Sequence, residues 1–136
     1  MKGFSAYALP IGIAFQIQDD ILGIYGSAER VGKPMGSDIK EGKITLLVSR
    51  ALEKGTTAQK KRVQEILRLR EKLTAKHVEE FRHLLDETGA HTSCQETAAQ
   101  YIQAGQAALE TLKSKIDPRT YDFLFSVAEY MMKREY

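Results

Sequence analysis

Two adjacent carboxylates, Asp19 and Asp20, lie within the apolar stretch FQIQDDILGIYG over residues 15–26. Carboxylates held close together in apolar surroundings repel each other and are costly to bury unless a cation compensates them. Mg²⁺ is typically bound by one or two carboxylates, with water and a substrate's phosphate oxygens completing its shell. The pair therefore predicts a magnesium site, against the alternative of a surface acid or the ion-pair partner of a nearby arginine.

A lysine- and glycine-rich segment follows the acidic pair, with the sequence GKPMGSDIKEGKITLL over residues 32–47. Glycine allows backbone N–H groups to approach a ligand closely, and lysine binds phosphate as a compact cation. Lys33, Lys40 and Lys43 therefore predict a segment that binds a diphosphate beside a carboxylate-bound metal. Taken alone, such a segment is more commonly a solvated turn.

The elements that position these residues are predicted to be helices. Apolar residues recur with the helical period along nearly the whole chain, and no alternating strand pattern of useful length occurs. Pro10 is typical of a first helical turn and Gly26 of the position after a helix, which predicts a helix over about 10–25. Gln16 and Gly23 lie at helical spacing from the two acids, so the four are expected on one polar stripe. Five further helices are predicted, over about 44–54, 57–72 with Thr57 as its cap, 75–88, 92–114 and 118–134.

Composition and charge limit the classes of function. The 136 residues contain 20 Lys and Arg against 18 Asp and Glu, a formal net charge of +2, so no nucleic-acid partner is expected. No membrane span is expected either, because no apolar run reaches the roughly 18–20 residues that a bilayer requires. The single cysteine, Cys94, favours a cytoplasmic protein with a buried, inert thiol. His77, His83 and His91 lack metal-ligand spacing and are expected to be exposed helix residues.

Taken together, the acidic stretch and the lysine-glycine segment resemble the second aspartate-rich region of the trans-isoprenyl diphosphate synthases, the polyprenyl synthetase family. The resemblance covers essentially the whole chain. Its last part, LFSVAEYMMKREY over residues 124–136, is similar to the terminal helix and basic-aromatic tail of that family. The resemblance implies an all-α helical bundle, with residues 1–136 forming a single partial domain, the C-terminal half of the isoprenoid synthase fold.

The same resemblance implies a prenyltransferase that condenses isopentenyl diphosphate with an allylic diphosphate, head to tail, with Mg²⁺ as cofactor. Asp19 resembles the family's metal ligand, and Asp20 supports it directly or through water. The family motif commonly has a third aspartate where this chain has Gly23, so one metal contact differs. A terpene cyclase, another helical enzyme that uses diphosphates, rarely has such a lysine-glycine segment.

Four further residues are implied by the resemblance alone. Lys33 and Lys43 resemble the lysines that hold the allylic diphosphate. Phe15 and Gln16 match the Phe-Gln pair that faces the reacting ends of the two substrates. Without the resemblance, Phe15 would be expected in the core and Gln16 in a hydrogen bond between packed helices.

Nothing in the chain resembles the family's first aspartate-rich motif or the upstream basic residues that bind isopentenyl diphosphate. The chain alone is therefore expected not to catalyse the condensation, and its apolar beginning resembles a start in the middle of a fold. Three explanations stay open: a truncated fragment, one chain of a split enzyme, or a noncatalytic helical subunit that retains the fold for dimerisation. A homodimer or a complementing N-terminal half is the expected partner, and the product's chain length is not readable from these residues.

Overall fold

The described part of the chain is helical throughout. A computed structural model describes residues 2–26 and 36–133, and within these ranges it contains only helices and connecting segments. The all-α prediction is confirmed, and no helix in these ranges is long and apolar enough to cross a membrane. The helices are α1 (Lys2–Tyr25), α2 (Ser37–Lys40), α3 (Leu46–Lys54), α4 (Thr57–Leu67), α5 (Ala75–Glu87), α6 (Ala90–Leu112) and α7 (Pro118–Lys133), with a 3-10 turn at Arg70–Lys72.

The first helix is longer than predicted. It begins at Lys2, and Pro10 lies inside it. Because proline has no backbone N–H, the carbonyl oxygen of Ala6 lacks its intrahelical donor, which costs about 3 kcal/mol in a helix interior. The predicted start at Pro10 was wrong because burial of residues on both sides of the proline, such as Tyr7 and Ile11, offsets this cost.

The chain divides into two compact units, and α1 and α6 each contribute to both. The first unit combines Met1–Ile17 with Glu96–Glu135, and the second contains Gln18–Gln95. Each unit has its own buried side chains.

The first unit is built around the beginning of α1. The Tyr7 hydroxyl donates a hydrogen bond to the Leu124 carbonyl of α7, 2.7 Å away. Gly105 of α6 allows a close approach, since a Cβ atom at that position would lie 2.6 Å from Cγ1 of Ile11. The buried core of this unit consists of Tyr7, Ile11, Ala14, Ile102, Leu109, Ala128 and Met131.

The predicted start of α7 is confirmed. Pro118 is its first residue, and the Asp117 carboxylate accepts hydrogen bonds from the backbone N–H groups of Arg119 at 3.1 Å and Thr120 at 3.3 Å. A carboxylate in this position satisfies backbone donors that have no partner within the helix.

Threonines cap three helices of the second unit. Thr45 precedes α3, Thr56 precedes α4 and Thr74 precedes α5, and each side chain accepts a backbone N–H of the first turn. The last two form capping boxes with Gln59 and His77, which satisfy two backbone donors each. Large, fully buried side chains of this unit are Ile21, Ile24, Ile39, Leu47, Val48, Val63, Ile66, Phe81 and Leu85.

Three predicted helix boundaries were wrong in the second unit. Thr56 caps α4 in place of Thr57, and α4 ends at Leu67 rather than near residue 72. The chain turns after Leu67 and Arg70 has a positive φ of 50°, a left-handed conformation through which an α-helix does not continue. Ile44 lies outside α3 and is largely exposed, because that helix begins only after the Thr45 cap.

Candidate functional site

Asp19 and Asp20 lie near the end of α1, which places both carboxylates on a helix whose neighbouring residues Ile21 and Leu22 are buried. Asp20 is only 9% exposed, whereas Asp19 is half-buried. A carboxylate this deeply buried requires compensation from charge or hydrogen bonds. Asp20 therefore lies in buried surroundings, as the apolar stretch over residues 15–26 indicated.

Lys43 provides part of that compensation. Its Nζ lies 3.6 Å from Oδ1 of Asp20, and its side chain is nearly half exposed. The backbone N–H of Lys43 donates to the Asp38 carbonyl at 3.0 Å, and Gly42 before it has a positive φ of 68°. The turn after α2 thus brings one cation of the lysine-glycine segment to the acidic pair. A carboxylate-lysine pair of this kind matches both the phosphate-binding interpretation and the simple ion-pair alternative.

Asp38 is a third carboxylate that the sequence analysis did not assign to the site. It belongs to α2 and is 3% exposed. A Cβ atom built on Gly23 would lie 3.1 Å from Cγ of Asp38 and would overlap Oδ2. The Asp38 carboxylate therefore occupies the space beside α1 where a side chain at position 23 would begin. The signal was present in the segment GSDIKEGK, where an acid stands among lysines.

The site does not contain a complete set of protein ligands for a metal. No group of three or more His, Cys, Asp and Glu side chains within residues 2–26 and 36–133 could hold a metal ion. Buried carboxylate oxygens are nevertheless the donors that Mg²⁺ prefers, and Mg²⁺ commonly takes only one or two of them from the protein. Asp19 and Asp20 fit that mode of binding, in which water and phosphate oxygens supply the other ligands.

The 3-10 turn at Arg70–Lys72 holds the segment after α2 in place through two contacts. Lys40 Nζ lies 3.0 Å from the Glu71 carboxylate, and the Arg70 guanidinium donates to the Glu41 carbonyl. A Cβ atom on Gly42 would lie 2.6 Å from Cζ of Arg70 and would force that side chain to move, and the positive φ of Gly42 itself favours glycine. Lys40 thus pairs with an exposed acid, and its predicted role in phosphate binding stays a prediction.

A cavity of about 910 Å³ borders this turn. Its described lining residues do not include Asp19 or Asp20, so it is separate from the acidic pair. Residues that line it are Gly36, Ser37, Lys40, Glu41, Arg70, Glu71, Leu73, Thr74, Ala75 and Val78.

The end of α1 is anchored by contacts that the sequence analysis missed. Arg82 of α5 donates from Nε to the Ile24 carbonyl at 2.6 Å, which satisfies an acceptor in the last helical turn. The Tyr25 hydroxyl lies 2.8 Å from Oδ1 of Asp86 and 3.2 Å from the Arg82 carbonyl. Burial, followed by the hydrogen bond to Asp86, raises the pKa of Tyr25 above its ordinary value. These contacts fix the helix end that carries Asp19 and Asp20.

His91 completes this anchor and corrects one prediction. Its ring stacks on Tyr25 with centroids 3.8 Å apart, and Nδ1 lies 3.1 Å from Oδ1 of Asp86. Its side chain is mostly buried, so the expectation of an exposed helix residue was wrong. Spacing along the sequence did not reveal it because the contact joins α6 to the end of α1.

The remaining predicted site residues are placed as follows. Phe15 and Gln16 lie on α1 within the first unit, and both are exposed, Phe15 to 50%. Phe15 is therefore not a core residue in this structure. Lys33 lies outside the described residues.

Comparisons with known proteins match this chain to synthases. The family model described as polyprenyl synthetase matches residues 1–85. The chain is 37% identical over 131 residues to a short chain isoprenyl diphosphate synthase of Methanothermobacter thermautotrophicus, covering 96% of this chain and 38% of that protein. It is 34% identical over 135 residues to a geranylgeranyl diphosphate synthase of Methanosarcina mazei, covering 99% of this chain and 39% of that protein.

Solved structures show the same similarity. A geranylgeranyl pyrophosphate synthase from Corynebacterium glutamicum, complexed with isoprenyl diphosphate and magnesium, has a TM-score of 0.88 at 26% identity, covering 98% of this chain and 37% of that one. The geranylgeranyl pyrophosphate synthetase of Pyrococcus horikoshii has a TM-score of 0.82 at 31% identity, covering 98% and 39%. The chain thus spans about two fifths of the length of the relatives it matches.

Proposed function

We propose that this chain, which belongs to the polyprenyl synthetase family, forms part of a prenyltransferase. The enzyme elongates an allylic diphosphate with isopentenyl diphosphate. The contribution of this chain is the second acidic motif and the lysines that hold the departing diphosphate. The observation that carries the proposal is the pairing of buried Asp20 with Lys43 across the turn after α2. A simple surface acid would not be buried beside a cation of the lysine-glycine segment.

The residues of this chain would act together on the leaving group. Asp19 and Asp20 bind Mg²⁺, which when present offsets the negative charge that develops on the departing diphosphate. Lys33 and Lys43 bind the oxygens of the allylic diphosphate and keep it oriented. Lys43 is already at the acidic pair and partly exposed, so its ammonium group would be available to a phosphate oxygen beside Asp20.

The chemical step is a substitution at an allylic carbon. The bond from that carbon to the diphosphate oxygen breaks, the alkene electron pair of isopentenyl diphosphate forms the new carbon–carbon bond, and a proton leaves the condensed product. Phe15 and Gln16 are proposed to face the reacting ends, where an aromatic wall excludes water from the carbocation. The Corynebacterium glutamicum structure with isoprenyl diphosphate and magnesium supports this choice of ligand and metal.

Activity is proposed to require the part of the relatives' length that this sequence does not match, whether that part belongs to the same chain or to a complementing one. The family's first aspartate-rich motif is absent from this sequence, and its length is about two fifths of that of its relatives. The partner is a complementing N-terminal half, or the chain is part of a homodimer. The second candidate function is a noncatalytic helical subunit that retains the fold for dimerisation, since the chain covers only about two fifths of the length of its relatives.

The site is tested in the complemented enzyme, which is this chain combined with a polypeptide that carries the first aspartate-rich motif. That enzyme is titrated with Mg²⁺ and diphosphate. The double variant Asp19→Asn with Asp20→Asn is expected to weaken binding about tenfold or more, because it removes the anionic ligands. Isothermal titration calorimetry measures the effect. Asp122→Asn, which neutralises an exposed acid of α7, is the matched control and should bind as the wild type does. Unchanged binding by the double variant would contradict the assignment of Asp19 and Asp20 as ligands of Mg²⁺.

Co-expression separates the two candidate functions. A polypeptide that carries the first aspartate-rich motif should restore condensation activity when it is combined with this chain. A noncatalytic subunit would instead form a stable complex without any condensed product.

A further inference from the structure

The end of α1 carries the acidic pair but no cation of its own. Asp19 and Asp20 lie in the last two turns of the helix, which ends at Tyr25, and its last turn contains no basic residue. Carbonyl groups at the C-terminal end of a helix lack intrahelical donors, and that end carries a partial negative charge. Without a donor or a cation from elsewhere, this end of α1 is therefore expected to fray.

Arg82 of α5 supplies both missing features. Its Nε donates to the Ile24 carbonyl at 2.6 Å, and its side chain is only 17% exposed. The positive charge thus lies where the helix dipole favours a cation. Nη1 of the same guanidinium lies 2.7 Å from Oε1 of Glu79, which holds the group from within α5. Arg82 therefore takes the place of the C-terminal basic residue that α1 lacks.

A second contact joins the same helix end to α5 and α6. Oδ1 of Asp86 accepts the Tyr25 hydroxyl at 2.8 Å and lies 3.1 Å from Nδ1 of His91, whose ring stacks on Tyr25. One carboxylate oxygen is thus shared by side chains of α1 and α6. All these residues belong to the second unit, as do Asp19 and Asp20.

Contacts of this kind matter for a magnesium site because Mg²⁺ demands near-ideal octahedral geometry from its ligands. Partners that orient such ligands change metal affinity or activity by about 10–100-fold when they are removed. Ile24 lies one helical turn after Asp20, on the same side of α1. Movement of the last turn is therefore transmitted to the carboxylate.

We propose that Arg82 is a positioning residue for the acidic pair. It holds the last turn of α1 through the Ile24 carbonyl and thereby sets the affinity of Asp19 and Asp20 for Mg²⁺. The Tyr25 hydroxyl contributes to the same end through Asp86, with a smaller effect. The inference rests on the proposed function, since it concerns the metal site which that function assigns to the acidic pair.

The Mg²⁺ dependence of diphosphate binding by the complemented enzyme tests this role. Isothermal titration with diphosphate at several Mg²⁺ concentrations gives the apparent affinity for the metal. Arg82→Met removes the charge and the donors but keeps an unbranched side chain, and it should weaken that affinity about tenfold. Arg82→Lys should retain most of it, because a lysine Nζ stands one bond beyond the position of Nε and donates hydrogen bonds. Tyr25→Phe keeps the ring stack and should weaken the affinity about threefold.

Arg68→Met is the matched control, since it makes the same replacement at an exposed residue directly after α4 in the same unit. It should leave the Mg²⁺ dependence unchanged. Amide hydrogen exchange gives a second readout, which a general loss of stability would not produce. Arg82→Met should speed exchange over residues 22–26 and leave exchange in α3 as it is in the wild type.

Four results would overturn the inference. Arg82→Met with wild-type Mg²⁺ dependence, beside a weakened Asp19→Asn and Asp20→Asn variant, would contradict it and leave the proposed function standing. Slow exchange over residues 22–26 in Arg82→Met would contradict it as well. An Arg82→Lys variant as weak as Arg82→Met would assign the loss to side-chain shape. Wild-type binding by the double aspartate variant would overturn the proposed function and the inference together.

Tyr25→Phe decides the question if Arg82→Met does not fold, because it removes a single hydroxyl from a partly buried side chain. Weaker Mg²⁺ dependence and faster exchange over residues 22–26 in this variant would support the proposal. Wild-type values of both would contradict it.

Discussion

Two glycines of α1 have opposite surroundings although both lie inside the helix. Gly12 faces open space, whereas a Cβ at Gly23 would overlap the buried Asp38 carboxylate. Glycine costs a helix interior about 1 kcal/mol relative to alanine. At position 23 this cost is tolerated because α2 brings its carboxylate directly against the helix.

Replacement of each glycine by alanine should therefore have opposite effects on stability. Gly12→Ala should raise the free energy of unfolding by up to about 1 kcal/mol through helix propensity. Gly23→Ala should lower it by about 1–3 kcal/mol, because the added methyl group must displace Asp38. Urea unfolding of both variants measures the difference. Equal stabilisation by the two substitutions would contradict the close approach of Asp38.

Cys94 is buried, as the sequence analysis expected. Burial raises the pKa of its thiol to about 11, although Arg50 opposes part of the shift. An unfolded thiol has a pKa of about 8.5. The folded state therefore retains the proton more strongly than the unfolded state does, and the resulting stability is present below about pH 8.5 and lost as the pH rises toward 11.

The native chain should react slowly with a thiol reagent at pH 8, and rapidly after unfolding in urea. Absorbance of the released thiolate measures both rates. Cys94→Ala should remove this contribution to the loss of stability between about pH 9 and pH 11, whereas fast labelling of the native wild type would contradict the burial.

Among the helices, α3 shows how the lysine-glycine segment is joined to the fold. Thr45, two residues after Lys43, accepts a hydrogen bond from the Val48 backbone N–H and is itself buried. The threonine of the sequence GKIT, residues 42–45, is thus a helix cap. This cap fixes Leu46 as the residue at which α3 begins.

Thr45→Ala should lower the free energy of unfolding by about 1 kcal/mol, since it removes the cap. Thr45→Ser retains the hydroxyl and should lose much less. Thermal melts followed by circular dichroism compare the two. A serine variant as unstable as the alanine variant would assign the effect to the lost methyl group instead of to the cap.

The helices were largely predictable because the amphipathic period and the proline at the start of α7 are local signals. The errors have non-local causes. Pro10 lies inside α1 because buried neighbours offset its missing N–H. The early end of α4 depends on Arg70, whose left-handed backbone no pattern of apolar residues reveals.

For the molecule as a whole, the sequence predicted the family and the fold class, and both are confirmed. Within the site it placed the acidic pair beside a lysine, and Lys43 does lie at Asp20. It missed Asp38 and the anchor formed by Tyr25 and His91, since these contacts join residues far apart in the chain. The roles of the site residues stay predictions.

The purified chain alone should show no condensation of isopentenyl diphosphate with an allylic diphosphate, even at saturating Mg²⁺. The expectation rests on the absence from this sequence of a motif that resembles the family's first aspartate-rich motif. Product analysis by chromatography of radiolabelled isopentenyl diphosphate measures this. Multiple turnovers by the chain alone, with the Asp19→Asn and Asp20→Asn variant inactive, would show that this chain does not need a second polypeptide.

Pro10 locally weakens the hydrogen bonding of α1. The Ala6 carbonyl has no amide proton to accept from within the helix, so the residues before the proline are coupled less tightly to those after it. Amide hydrogen exchange should therefore divide the helix in two, with fast deuterium uptake before Pro10 and slow uptake in the turns that carry the carboxylates.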